Sequence, residues 1–238
     1  AEELIEAGLL LDLTDVAEKG DWANIVNPKA LLDSCTLDGK IFCVPVNIHS
    51  GQWMWLSHAA YENAGLDVPT DWNEFVASAG KLEAAGTLPL AMGQQGWQQN
   101  LAFGAITIAV AGTEAWREVT VNKNAEVAKG PEYKAVFEAM VNARELAAGS
   151  NVQDWNQATN MVITGSAGAQ LMGDWAQGEF AVAGKVEGVD YSCLPGLGLN
   201  QILDTGGDAF YFPVNDDPAI TAAQKELAAL LISPEVQV

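Results

Sequence analysis

An α/β fold is predicted by three features of the chain. Short apolar strands alternate with helical segments along its length. The helical segments repeat their apolar residues with the 3.6-residue period. Of the 238 residues, 49% are hydrophobic and 18% charged, which supplies the apolar surface for a large packed core.

From the first residue, Ala1 to Ala7 reads as an acidic amphipathic helix with Leu4 and Ile5 inward and Gly8 as its stop. Leu31 to Val46 reads as a helix end, a turn at Leu37-Asp38-Gly39-Lys40, and a strand from Lys40 to Val46. Gln52 to Leu56 is a second strand, rich in aromatics. Tyr61 to Gly65 ends a short helix. The clearest helix opens at Pro69-Thr70-Asp71-Trp72: Asp71 and Glu74 have capping-box spacing, and Trp72, Phe75, Val76, Ala79 and Leu82 keep helical period. Leu88 to Met92 is a short strand entering a polar loop, Gly93 to Gln98.

Leu101 to Ala111 is predicted to be a buried helix. Its near-apolar run falls short of the roughly 20 residues that span a bilayer. Glu132 to Ala147 is another helix, with Tyr133, Val136, Phe137, Met140 and Val141 on one face. Trp155 to Thr164 is a helix ended by Gly165, and Gly168 to Met172 a buried strand. Tyr191 to Leu194 and Phe210 to Pro213 are strands, and Ala219 to Leu231 is the last amphipathic helix. No basic segment with an apolar stretch after it opens the chain, so a secretory leader is absent or already removed.

Lys and Arg total 11 against 31 Asp and Glu, a net charge of −20. That excludes a basic footprint for nucleic acid and disfavours an anionic membrane surface. Only Arg117 and Arg144 supply guanidinium groups, so clamps for phosphate or carboxylate are scarce. Cys35 and Cys43 flank the Asp38-Gly39 turn. They can pair across it, although two small buried thiols is the favoured reading, and Cys193 leaves the count odd. There is no nucleophile elbow, no dinucleotide fingerprint and no phosphate loop. His49 and His58 lie nine apart without neighbouring Cys or paired carboxylates, which argues against zinc, and no organic cofactor is expected.

Four strand ends carry similar chemistry: Asn47-Ile48-His49, Gln94-Gln95-Gly96-Trp97-Gln98, Asp174-Trp175, and Asp208 ahead of Phe210. In α/β folds ligands bind at such ends. Carboxylates and amides pair with adjacent hydroxyls, and an indole offers a flat apolar face, a combination suited to sugars. Blander readings stand beside this one. Trp72 belongs to a core, and Trp22, Trp53, Trp55 and Trp116 are more often core than contact. Asp174 suits a helix cap as well as a ligand. Asp208 after two glycines suits a turn, and His49 alone suits a structural role.

At these residues the chain resembles the sugar-specific solute-binding proteins of bacterial ABC importers, in a glucose/mannose-binding-like branch. The matching stretches are Asp38 to His49, Ala64 to Leu66 with Pro69 to Phe75, Leu88 to Gly93 with Trp97-Gln98, Asp154 to Ala158, Met172 to Phe180, and Asp190-Tyr191. The resemblance implies a two-lobed periplasmic-binding-protein fold of type II, with a ligand cleft between lobes formed by residues 1–49 with 206–238 and by 50–205. It implies that Trp175 is a stacking aromatic, that Asp208 is a hydroxyl-binding carboxylate, and that His49 and Trp97 line the pocket, while the strand-end chemistry adds Asn47, Gln95, Gln98 and Asp174 as candidate ligand contacts. The family usually carries Arg after the His, where this chain has Ser50. Family members begin before residue 1 and continue past 238, so the likeness covers a central portion. It further implies a monomeric, non-catalytic receptor, periplasmic or tethered outside the cell. Such a receptor hands a small sugar, glucose-like, to a membrane permease. A glycoside hydrolase working through Asp174 and Asp208, and a carbohydrate-sensing receptor, are the alternatives.

Overall fold

A computed structural model describes residues 1–200 and 202–237. The chain divides into two compact units, Ala1–His49 with Thr205–Val238, and Ser50–Asp204.

The first unit opens with four short helices, α1 (Glu2–Glu6), α2 (Thr14–Lys19), α3 (Trp22–Ile25) and α4 (Lys29–Asp33). Gly8 stops α1 in the left-handed conformation, as its position predicts. Leu4, expected inward, is 48% exposed. A five-residue helix is barely more than one turn, and no residue of this one is buried. The strands β1 (Thr36–Leu37) and β2 (Lys40–Ile41) form a hairpin around Asp38 and Gly39, both at positive φ. The continuous strand expected from Lys40 to Val46 breaks at Phe42. Its second half, β3 (Cys43–Pro45), pairs with a different partner late in the chain, and Phe42 N–H donates instead to the Cys35 carbonyl.

Cys35 and Cys43 are joined in a disulfide, which corrects the expectation of two buried thiols. The hairpin brings their Cα atoms to 5.0 Å, within bridging distance. Closing a loop of separation 8 stabilises the unit by about 2–3 kcal/mol through the unfolded state.

At β4 (His49–Ser50) the chain passes into the second unit. That unit holds β5 (Trp53–Ser57), α5 (His58–Asn63), α6 (Trp72–Ala84), β6 (Leu88–Ala91), α7 (Gly96–Thr120), α8 (Ala125–Ala128), α9 (Pro131–Leu146), α10 (Trp155–Ile163), β7 (Ala167–Met172), α11 (Ala176–Val182) and β8 (Tyr191–Pro195). The sheet order is β6-β7-β5-β8. β6 and β7 run parallel, and β5 is antiparallel to both β7 and β8. Side chains alternate across the sheet. Met54 and Leu56 enter one core with Trp72, Phe75, Leu82, Ile106 and Val136, while Trp55 enters another with Val162, Phe180 and Tyr191. In that second core Trp55 stacks on Phe180 at 5.2 Å, and Phe180 on Tyr191 at 4.2 Å.

Asp71 caps α6 through the Glu74 N–H, as spaced. Glu74 reaches one residue further back than a capping box requires, accepting from the N–H and hydroxyl of Thr70. The polar loop expected through Gln98 is shorter: Gly96, Trp97 and Gln98 already form the first turn of α7, and Gln98 N–H donates to the Gln95 carbonyl. Gly112, at φ 82, divides α7 near the predicted end at Ala111. On α9, Tyr133, Val136 and Ala143 form the buried stripe, whereas Phe137 and Val141, one turn apart at its edge, are exposed.

The chain re-enters the first unit through β9 (Thr205–Gly206), which pairs with β4. β10 (Ala209–Tyr211) then pairs with β3, and α12 (Pro218–Leu231) and α13 (Pro234–Gln237) complete the unit. The four-residue α13 has no counterpart in the sequence expectation. Leu13, Trp22, Leu32, Val44, Phe212 and Ala228 form this unit's core. No helix among the described residues is long and apolar enough to cross a membrane.

Cys193 on β8 donates its S–H to Glu187 Oε1 at 3.2 Å. Burial, together with the hydrogen bond and charge of Glu187, pushes its thiol up to about 12. The reactive thiolate is therefore scarce at neutral pH, and Cys193 is expected to alkylate with iodoacetamide at pH 8 at least ~100-fold more slowly than free cysteine. Reaction at the free-cysteine rate would contradict this placement.

Candidate functional site

The candidate residues fall into two groups, one on each unit. In the first unit Asn47 and Asp208 bind each other twice. The Asn47 amide donates to Asp208 Oδ2 at 2.8 Å, and the Asp208 N–H donates to Asn47 Oδ1 at 2.7 Å. Val46 N–H adds a backbone bond to the Asp208 carbonyl. His49 Nε2 stands 3.8 Å from Asp208 Oδ1, an ion pair when the imidazole is protonated. The Asp208 side chain remains 72% exposed, so its carboxylate is held in place yet open to solvent.

The glycine directly before Asp208 has a structural reason. A Cβ on Gly207 would stand 2.3 Å from the Asn47 carbonyl oxygen, so only glycine lets the two backbones approach. Sequence reasoning grouped Asn47, His49 and Asp208 by chemistry, and the structure brings all three together.

In the second unit the loop after β6 and the start of α7 present Gln95, Trp97 and Gln98. Gln95 is a junction. Its Oε1 accepts from Trp97 Nε1–H at 2.6 Å and from the Gln98 amide at 3.2 Å, while its own amide donates to Asp154 Oδ1 at 2.7 Å. Gln98 also donates to the Gln153 carbonyl and is only 1% exposed. It therefore supports Gln95 from beneath. Trp97 is 43% exposed, and its ring lies 6.4 Å from that of Trp175, tilted by 47°.

Asp174 does not cap α11. Its Oδ2 accepts from the Ser50 N–H at 2.9 Å and the Ser50 hydroxyl at 3.2 Å, and its own N–H donates to the Ser50 carbonyl. Ser50 Oγ in turn accepts from Trp53 Nε1–H at 2.7 Å. Ser50 is buried, and the carboxylate two residues past the end of β7 anchors it. The helix-cap reading of Asp174 is thereby corrected: Trp175 occupies the N-cap position, and no side chain caps that end.

Sequence reasoning passed over Ser50, Trp53 and Asp154 as parts of these networks. Their partners lie 124, 3 and 59 residues away, and two of those separations leave no local signal. Of the tryptophans expected in a core, Trp22, Trp55 and Trp72 are buried, while Trp53 and Trp116 are half-buried. Among the described residues no group of three or more His, Cys, Asp and Glu could hold a metal ion.

Residues 1–238 match the family model described as bacterial extracellular solute-binding protein. The chain is 36% identical over 234 residues to a probable sugar-binding periplasmic protein of Brucella melitensis, covering 98% of this chain and 55% of that relative. It spans about half the length of the curated relatives it matches. Among solved structures it superposes on a chitin oligosaccharide binding protein with a TM-score of 0.77 at 20% identity, covering 99% of this chain and 60% of that one. The solute receptor AcbH, described with a preference for β-D-galactopyranose, superposes with a TM-score of 0.70 at 21% identity over 98% of this chain and 60% of the receptor. At these identities the structural likeness establishes the fold.

Replacing Asp174 by Ala is expected to lower the unfolding free energy by about 1–2 kcal/mol. It removes a charged acceptor from a buried N–H and hydroxyl at a half-exposed site. Urea denaturation measures it, and an unchanged midpoint would assign Asp174 no anchoring role.

Proposed function

This chain belongs to the bacterial extracellular solute-binding proteins, and on that footing we propose that it binds a sugar outside the cytoplasm and delivers it to the membrane permease of an ABC importer. The observation that carries the sugar reading is the Trp97–Trp175 pair beside the Gln95–Asp154 network. Indole faces suit the apolar C–H face of a pyranose, and amides and carboxylates suit its hydroxyls. The relatives named as probable sugar-binding periplasmic proteins support it as well.

In this reading Trp175 and Trp97 supply stacking surface. Asp208, oriented by Asn47 and flanked by His49, accepts from sugar hydroxyls. Gln95 presents an amide, while Gln98 and Asp174 hold the neighbouring elements in place. The ligand is a monosaccharide of glucose type, and the protein acts as a monomeric carrier without turnover. No nucleic acid takes part, in keeping with a net charge of −20. The hydrolase alternative asks for two carboxylates flanking a bond, and Asp174 already accepts two bonds from Ser50.

Calorimetric titration with D-glucose, D-mannose, D-galactose and a chitin disaccharide tests this. One monosaccharide is expected to bind the wild type tightest. Trp175→Ala should weaken it by about 1–3 kcal/mol, roughly 5- to 150-fold, the range of an aromatic platform under a flat ligand. Asp208→Asn keeps size and one acceptor but places a donor where a hydroxyl proton is expected, so affinity should fall at least ~10-fold. Both variants should melt within a few degrees of wild type. Absence of sugar binding, or equal affinities in wild type and both variants, would contradict the proposal.

A further inference from the structure

We propose that Gly173 is a positioning residue: its missing side chain is the seat on which the Trp175 indole rests. This rests on Trp175 being the sugar-stacking aromatic. A Cβ built on Gly173 would stand 2.2 Å from Cζ3, 2.3 Å from Cη2 and 2.5 Å from Cε3 of Trp175. All three atoms belong to the six-membered ring. Carbon atoms in contact sit about 3.5–4.0 Å apart, so an alanine methyl and this ring placement exclude each other. The ring cannot bend away, because an indole is rigid and moves only by its two side-chain torsions.

The backbone gives no other reason for glycine here. Gly173 is not among the glycines with positive φ, so no left-handed backbone conformation asks for glycine there. A substitution at 173 therefore acts through the indole. Displacing that ring also changes its approach to Trp97, now 6.4 Å between centroids.

The neighbouring parallel strand uses the same arrangement. β6 and β7 both lead into Met-Gly, as Met92-Gly93 and Met172-Gly173. A Cβ on Gly93 would stand 2.0 Å from Oε1 and 2.7 Å from Cδ of Gln98. In each case a flat side chain from the start of the next helix lies on a bare Cα at the strand end. The two glycines thus set the placement of Trp175 and, through Gln98, of Gln95.

The test combines a spectroscopic readout with a double-mutant cycle in wild type, Gly173→Ala, Trp175→Ala and the double variant. The indole N–H resonances of Trp97 and Trp175 are expected to shift in Gly173→Ala, with those of Trp22 and Trp72 unmoved. With the tightest binder among D-glucose, D-mannose and D-galactose, Gly173→Ala should lose at least ~5-fold in affinity. In the Trp175→Ala background the same substitution should change affinity less than ~2-fold, since the ring it displaces is gone. Unmoved indole resonances in Gly173→Ala overturn the proposal whatever the affinities. So does an equal affinity loss in both backgrounds. If Trp175→Ala alone binds as wild type, the stacking role of Trp175 fails, and the resonances still decide whether Gly173 places the ring. The double variant has room for the methyl, so its folding guards against reading a misfolded single variant as support.

Discussion

The second unit depends on one buried strand. All six residues of β7, Ala167 to Met172, are buried, and its backbone is paired on both sides, parallel to β6 and antiparallel to β5. An unpaired backbone group there would cost about 1–3 kcal/mol, so the ladder leaves little freedom in where the strand ends. Small residues let the flanking layers close on it: a Cβ at Gly168 would stand 2.7 Å from Leu82 Cδ1. The buried amide of Gln170 is turned to use, donating to the Trp155 carbonyl and tying β7 to α10. The residues just after Met172 inherit this rigidity. Gly173, Asp174 and Trp175 are delivered to a fixed place, one as a seat, one as the anchor of Ser50 and one as an aromatic face.

The first unit reaches a similar result by different means. It has no wide sheet among the described residues, only paired short strands, a disulfide across a hairpin, and a small core around Trp22 and Phe212. The Asp208 carboxylate is fixed by direct pairing with an amide from the other pass of the chain, 161 residues away. Asn47 satisfies both the side chain and the N–H of Asp208, which leaves the exposed side of the carboxylate oriented. In both units polar residues after a strand are held by partners distant in sequence, so their side chains are fixed in advance of any contact.

Much of this was legible in the sequence because it rests on local signals. The Asp71–Glu74 spacing, the left-handed glycines at 8, 39 and 165, and the buried run ending at Met172 each act within a few residues. The features that escaped reading depend on long-range pairing or on three-dimensional crowding. Gln98 looked like loop, yet it begins a helix because nothing between Gly96 and Leu101 breaks one. Phe137 and Val141 matched helical period but lie past the edge of the packed stripe. The role of Asp174 required Ser50, and that of Gly173 required the fold of an indole back over its own strand end. Asn47, His49 and Asp208 could be grouped by chemistry, whereas the mutual bonds that orient them were beyond any pattern.

In the proposed reading, the protein binds sugar with Trp97 and Trp175 as its aromatic surface. Nitrogen–proton correlation spectra resolve the eight indole N–H groups and report on each ring separately. Adding a saturating monosaccharide should move the resonances of Trp97 and Trp175 and leave those of the buried Trp22, Trp55 and Trp72 in place. Resonances of Trp97 and Trp175 that stay fixed while another sugar-dependent set moves, or an entire spectrum unchanged by every sugar offered, would contradict it.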